Sequence, residues 1–130
     1  VTEASLHGVG SIAHRNLVSL ADAGVTIAVD DFGTGTSSLE RLVEHRISRL
    51  KIDRRFVAGV ATDDRTRRLV TAMLAIASDL KLEVVAEGVE QEEQAAALRE
   101  LGCAAAQGYL FAPAVPTTEL VSVLTDLRRA

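Results

Sequence analysis

The chain has 130 residues, and its 14 Lys and Arg against 18 Asp and Glu give a formal charge of -4, the size of one ordinary domain. With 48% hydrophobic residues, 25% charged, 9 Gly and 2 Pro, the composition excludes disordered and collagen-like chains. The length falls short of the about 250 residues of a complete eight-stranded βα barrel, no apolar run reaches the roughly 20 residues of a membrane helix, and one cysteine, Cys103, excludes an intrachain disulfide.

A reduced, cytoplasmic setting is therefore expected, with no membrane contact by this segment. The chain begins without Met, mid-pattern at Val1-Thr2-Glu3, and is expected to continue upstream. Between Arg46 and Arg68 there are 8 cations and 3 acids. With 3 Phe, 1 Tyr and no Trp the chain lacks stacking residues for single strands, and its acidic remainder disfavours duplexes, so the basic stretch reads as a solvated face and no nucleic-acid partner is expected.

In chain order, the phrase Leu20-Ala21-Asp22-Ala23-Gly24 ends a first helical pattern, with Gly24 as the left-handed cap. The apolar run Val25 to Phe32 follows as a strand. Ser37 with Glu40 fits a capping box that opens the next helix, and Ile47 to Asp53 reads as the second strand. After the start signal Thr62-Asp63-Asp64, residues Leu69, Met73, Ile76 and Leu80, joined by Val70, Leu74 and Ala77, predict a helix with one wide apolar stripe. Glu83 to Val89 is the third strand. Leu98-Arg99-Glu100-Leu101-Gly102-Cys103 repeats the earlier helix-Gly-strand phrase, Ala104 to Phe111 is the fourth strand, and Thr117 after Pro116 opens a last helix. Helices and strands alternate, so the fold class is α/β with parallel strands and crossover helices. Four units average about 32 residues, the size of a barrel unit, and four strands are half a barrel.

Each strand ends in polar residues: Asp30 and Asp31, then Lys51 and Asp53, then Glu87, with Gln107 within the fourth. In a parallel sheet these ends share the face where ligands bind, so the set should converge. Carboxylates without thiolates or a metal-binding His pattern select Mg²⁺, Mn²⁺ or Ca²⁺. The adjacent Asp30 and Asp31 repel each other unless a cation lies between them, whereas Asp63-Asp64 reads as a helix cap. Lys51 and Asp53 lie on one side of their strand, either as an interior ion pair or with the lysine orienting water or neutralising phosphate. Glu87 is either a site carboxylate or a cap for the helix after Glu90. The loop Asp31-Phe32-Gly33-Thr34-Gly35-Thr36-Ser37-Ser38 matches a dinucleotide fingerprint poorly, because Ser38 replaces the third glycine. Its Asp-Phe-Gly triplet lacks the companions of a kinase site, which leaves a flexible loop beside a metal-bearing strand tip. Cys103 reads as a small buried hydrophobe, His7, His14 and His45 as surface residues, and Arg54 and Arg55 as solvated charge within reach of a substrate phosphate.

Together these motifs resemble the EAL family of cyclic di-GMP phosphodiesterases. Asp30-Asp31-Phe32-Gly33-Thr34-Gly35, Ser37-Ser38-Leu39, Leu50-Lys51-Ile52-Asp53, Val85-Ala86-Glu87-Gly88-Val89-Glu90 and Gln107-Gly108-Tyr109-Leu110-Phe111 follow the family's order and spacing. Val1-Thr2-Glu3-x-Ser5 resembles the end of its glutamate-containing strand motif. The resemblance implies that residues 1–130 are the C-terminal half of a (β/α)8 barrel, a partial EAL domain that hydrolyses cyclic di-GMP to linear pGpG with two Mg²⁺ or Mn²⁺ ions. It implies that Asp30, Asp31 and Glu87 are metal ligands, that Lys51 holds and polarises the attacking water, and that Glu87 alternatively serves as general base. Gln107, with Asp53, would support the site. Glu3 would anchor a mobile loop of Gly33, Thr34, Gly35, Thr36, Ser37 and Ser38, which with the following helix would form a homodimer interface.

The Glu-Ala-Leu strand and an Asn ligand of the family are absent from the sequence, Thr36 stands where Tyr is common, and Pro113-Ala114 replaces Arg-Pro. The alternatives are an inactive cyclic di-GMP-binding or regulatory module and a structural dimerisation half-barrel. The isolated 130 residues are expected to hydrolyse little or nothing and, with two sheet edges and an apolar interior face uncovered, to need the missing half or self-association.

Overall fold

The apolar spacing and the cap residues produce helices and strands in strict alternation, with one addition. In the computed structural model, which describes residues 1–2, 5–6, 10–34 and 39–127, the order is α1 (Ile12–Asp22), β1 (Ala28–Phe32), α2 (Leu39–Glu44), β2 (Arg49–Ile52), α3 (Arg54–Gly59), α4 (Asp64–Asp79), β3 (Glu83–Glu87), α5 (Glu92–Glu100), β4 (Ala105–Gln107), a 3-10 turn (Thr117–Glu119) and α6 (Leu120–Leu127). The added element is α3, whose start signal is Asp53: its carboxylate accepts the Arg55 N–H at 2.8 Å. Gly24 and Gly102 take left-handed conformations, φ 85° and 84°, and the next residue closes each helix: Val25 N–H donates to Leu20 O and Cys103 N–H to Leu98 O. The capping box at Ser37 lies outside the described residues.

Helix α4 starts on Asp63. Its carboxylate accepts the N–H groups of Arg65 at 3.2 Å and Thr66 at 3.0 Å, and the Thr66 hydroxyl. The bonds from Thr66, then Arg65, hold the Asp63 carboxyl below its ordinary 3.8. A lowered acid contributes stability above its unfolded value and loses it as pH falls through the folded one. In the full-length protein, Asp63→Ala is expected to melt a few degrees below wild type near neutral pH, with the gap closing in acid below 3.8. Thermal melts over a pH series test this, and a gap that persists into strong acid would refute it.

The sheet order is β1-β2-β3-β4, all parallel. Val1 and Thr2 extend it past β1: Thr2 bridges Asp30 in parallel, and the Asp30 N–H donates to Val1 O at 2.7 Å. Val29 pairs with Leu50, Leu50 with Val84 and Ile52 with Ala86, on the side packed by the helices. Val29, Leu50, Ile52 and Ala86 are each at most 1% exposed. Two core clusters result, one around Val29, Leu42 and Leu50 and the other around Ile52, Val70 and Ala86.

The opposite side of the sheet departs from expectation. It is not apolar: Arg49 donates two hydrogen bonds to Glu83, one from Nε at 3.0 Å, and Lys51 and Glu87 stand above this pair with Val85 between. Strict period-two alternation puts a charge at every second residue of β2, so the sheet has one greasy face rather than two. In α4 the buried row is Val70 and Ala77, with Met73 and Leu74 beside them, whereas Leu69 is exposed. His45 is buried, not superficial, and its ring stands edge-on to His14 at 4.8 Å. The expected strand spans shrink at their ends, most at β4, because Gly108 begins a turn. Cys103 is half-buried against the second cluster, and this burial raises its thiol pKa. The basic stretch is largely paired, through Arg46–Asp22, Arg49–Glu83, Arg55–Asp53 and Arg67–Glu100. Among the described residues no helix is long and apolar enough to cross a membrane.

Candidate active site

Neighbours in a regular strand face opposite ways, so Asp30 and Asp31 need a local irregularity to act together. β1 has one. Its register with β2 runs Ala28 to Arg49 and Val29 to Leu50, then jumps to Phe32 with Ile52, and Asp31 takes φ 57°. This bulge re-aims the Asp31 side chain, and oxygens of Asp30, Asp31 and Glu87 all lie within 4.8 Å of one another. Parallel register brings up the rest, since Glu87 pairs with Gln107 across β3 and β4.

Lys51 lies at the centre. Its Nζ donates to Asp30 Oδ1 at 3.0 Å and also pairs with Glu87 Oε1, and Gln107 Nε2 donates to that same Glu87 oxygen at 2.7 Å. Lys51 therefore pairs with Asp30 and Glu87, not with Asp53. Asp53 has left the strand to cap α3, where it accepts the backbone N–H and Nε of Arg55 and lies beside Asp31. Of the two arginines, Arg55 is thus held, while Arg54 is exposed at the start of α3. The cap before α5 is made by Gln94, whose Oε1 accepts from Glu90 N at 2.9 Å and Gln91 N at 3.1 Å, which frees Glu87 from that role.

These contacts separate the titrations. The Lys51 hydrogen bond holds the Asp30 carboxyl below 3.8. Burial pushes Glu87 above 4.5, and the nearby Asp30 charge outweighs part of the pull of Lys51. Burial works to lower Lys51, but its bonds to Glu87 and Asp30 prevail and raise it above 10.5. The neighbouring Asp53 raises Asp31, with burial and Asp30 adding to it. Burial raises Asp53 as well, but the Arg55 bonds outweigh it and leave it lowered. The site thus holds a raised Lys51 ammonium and a lowered Asp30 carboxylate, with Glu87 and Asp31 both shifted toward the protonated form.

The three converging carboxylates are a hard-oxygen set suited to Mg²⁺, Mn²⁺ or Ca²⁺, and the ammonium of Lys51 now supplies the positive charge between Asp30 and Glu87. At the loop root, Gly33 takes φ 90° and Thr34 turns back, its N–H and hydroxyl donating to Asp31 O. Gly35, Thr36, Ser37, Ser38 and Glu3 lie outside the described residues. Two features escape sequence reasoning, the bulge and the Asp31–Asp53 contact. The only sequence trace of the first is the Asp-Asp pair itself, and of the second the Asp before Arg-Arg-Phe-Val.

Residues 1–114 match the EAL domain family. The cyclic di-GMP phosphodiesterase RocR of Pseudomonas aeruginosa is 44% identical over 116 residues, covering 89% of this chain and 30% of RocR. Among solved structures, the PaMucR phosphodiesterase in complex with c-di-GMP superposes with a TM-score of 0.84 at 41% identity, covering 92% of this chain and 49% of that one. The EAL domain of Mycobacterium smegmatis DcpA gives 0.87 at 37% identity, covering 96% and 56%. The chain thus spans under a third of RocR and about half of each solved chain. Four parallel strands alternating with helices, the order of the tip motifs and these matches agree: the chain belongs to the EAL domain family.

Proposed function

We propose that the chain carries the later strands of a cyclic di-GMP phosphodiesterase barrel, which as a complete domain hydrolyses one phosphodiester of cyclic di-GMP to give linear pGpG. The observation that carries this reading is the convergence of Asp30, Asp31 and Glu87 within 4.8 Å, against the Lys51 ammonium. Asp30, Asp31 and Glu87 would hold divalent cations, two Mg²⁺ or Mn²⁺ ions in this reading, which when bound neutralise the phosphodiester and acidify a water. Alternatively to holding a cation, Glu87, whose Oε1 faces Lys51 and Gln107, would take the proton of the attacking water. Gln107 fixes the Glu87 carboxylate by its 2.7 Å bond. Lys51, a permanent ammonium, orients the water and stabilises charge gathering on the phosphoryl oxygens as the P–O bond to the leaving ribose breaks. Asp53 acts one step away, as a neighbouring carboxylate that raises the Asp31 pKa. The reading also includes a cytoplasmic setting, Glu3 as anchor of the loop of residues 33–38, and a homodimer through that loop and α2.

Full-length protein stripped with chelator is expected to form no pGpG, and Mn²⁺ or Mg²⁺ is expected to restore it, as followed by chromatography of the nucleotides. Tight cyclic di-GMP binding with no pGpG in either metal would replace this reading with that of a binding module.

A further inference from the structure

We infer that Gly108 and Gly88 are positioning residues: through close packing of the turns that leave β4 and β3, they set the distance between the Gln107 and Glu87 side chains. This rests on the metal-assisted reading above. Each glycine directly follows a site residue. A Cβ at Gly108 would stand 2.1 Å from the Val89 carbonyl oxygen, 2.3 Å from its nitrogen and 2.7 Å from its carbonyl carbon, inside any non-bonded contact. All three are backbone atoms, so no rotamer change relieves the clash. Val89 is also fixed from both sides: its N–H donates to Gln107 O and its carbonyl accepts from Leu110 N–H, each at 3.0 Å, and it is fully buried in the second core cluster. A side chain at position 108 must therefore move the β4 tip.

Gly88 repeats the arrangement one layer over. It has φ 69°, and its Cβ would lie 2.6 Å from the Cβ of Arg54, the first residue of α3. Arg54, Gly88, Val89 and Gly108 thus form a packed row beside the tips that carry Lys51, Glu87 and Gln107. The 2.7 Å bond from Gln107 to Glu87 has no slack, since a shift of about 1 Å breaks a hydrogen bond. By contrast, Gly102 has φ 84° but nothing within 4 Å of its Cβ position, so alanine there strains the backbone without touching the site.

The test uses isotope-labelled full-length protein, with the Gln107 side-chain amide resonances and Mn²⁺ affinity as readouts. Gly108→Ala is expected to displace those resonances and weaken Mn²⁺ binding about 10- to 100-fold, the range for loss of a supporting partner. Gly102→Ala should lower the melting point and leave both readouts at wild type. The clash at Gly88 is with a Cβ, so Arg54→Gly is expected to relieve Gly88→Ala, in fold or in Mn²⁺ affinity, while Arg54→Ala, which keeps that Cβ, is not. This arm decides the matter even where Gly108→Ala does not fold. Wild-type resonances and affinity in Gly108→Ala would overturn the inference, as would a Gly88→Ala defect indifferent to the residue at position 54. Wild-type protein that binds no Mn²⁺ would overturn the metal reading alone, and the resonances would still judge the positioning.

Discussion

Glu87→Gln in the full-length protein is expected to lower cyclic di-GMP turnover by about 10²- to 10⁴-fold, the range for loss of a positioned base, and to leave the fold intact. The substitution keeps the shape of the side chain and the oxygen that accepts from Gln107. It removes only the charge, and with it the proposed base, a proposed cation ligand and the ionic partner of Lys51. Stability should hardly move. The folded state holds the Glu87 proton above 4.5 because burial disfavours the carboxylate, so the ionised form costs folding free energy at neutral pH, and a neutral amide removes that cost while losing the ion pair. Steady-state rates with calorimetric melts in chelator test both halves. Turnover near wild type would remove Glu87 from the chemistry, and a collapse of the melt would recast it as a structural residue.

The sequence alone made the tip cluster legible for a topological reason. Parallel strands put all carboxyl ends on one face, so Asp30, Lys51, Glu87 and Gln107 meet although 77 residues separate the first from the last. Helix ends were legible because Gly24, Gly102 and Asp63 act locally, within one turn. What lay hidden depends on partners distant in sequence. The bulge at Asp31 is a property of the register between β1 and β2, and no pattern within β1 announces it. Asp53 shares its side of the sequence pattern with Lys51, but capping of α3 takes it off the strand and toward Asp31. His45 is buried, with the His14 ring of α1 edge-on to it, a contact between residues 31 positions apart that no local pattern announces. The charged inner face was readable from the alternation of Arg49, Leu50, Lys51 and Ile52, yet the apolar composition of the strands as a whole masked it.

Lys51→Met separates the two roles of the ammonium. Without it, Asp30 and Glu87 face each other and Asp31 with no countercharge, so the metal-free protein is expected to be less stable by about 1 kcal/mol, the upper scale for pairs that solvent still reaches. Turnover should fall about 10²- to 10³-fold, as when one electrostatic stabiliser is removed. The pH dependence follows from the directions of the shifts. Lys51 is raised, so its contribution is complete below 10.5 and is lost only as pH rises through the raised value. Asp30 is lowered, so its contribution is present above 3.8 and fades as pH falls through the lowered value. The stability gap between wild type and Lys51→Met should therefore narrow in acid, first as Glu87 takes its proton at its raised value and then as Asp30 does, and close in base as pH rises through the raised Lys51 value. Mn²⁺ supplies the missing charge and, by binding only the folded state, raises its melting point. That rise is expected to be larger in Lys51→Met than in wild type, because in wild type the cation competes with an ammonium already between the same carboxylates. An equal or smaller rise, measured by calorimetry over a Mn²⁺ titration, would mean that Lys51 and the cation do not share the charge of Asp30 and Glu87.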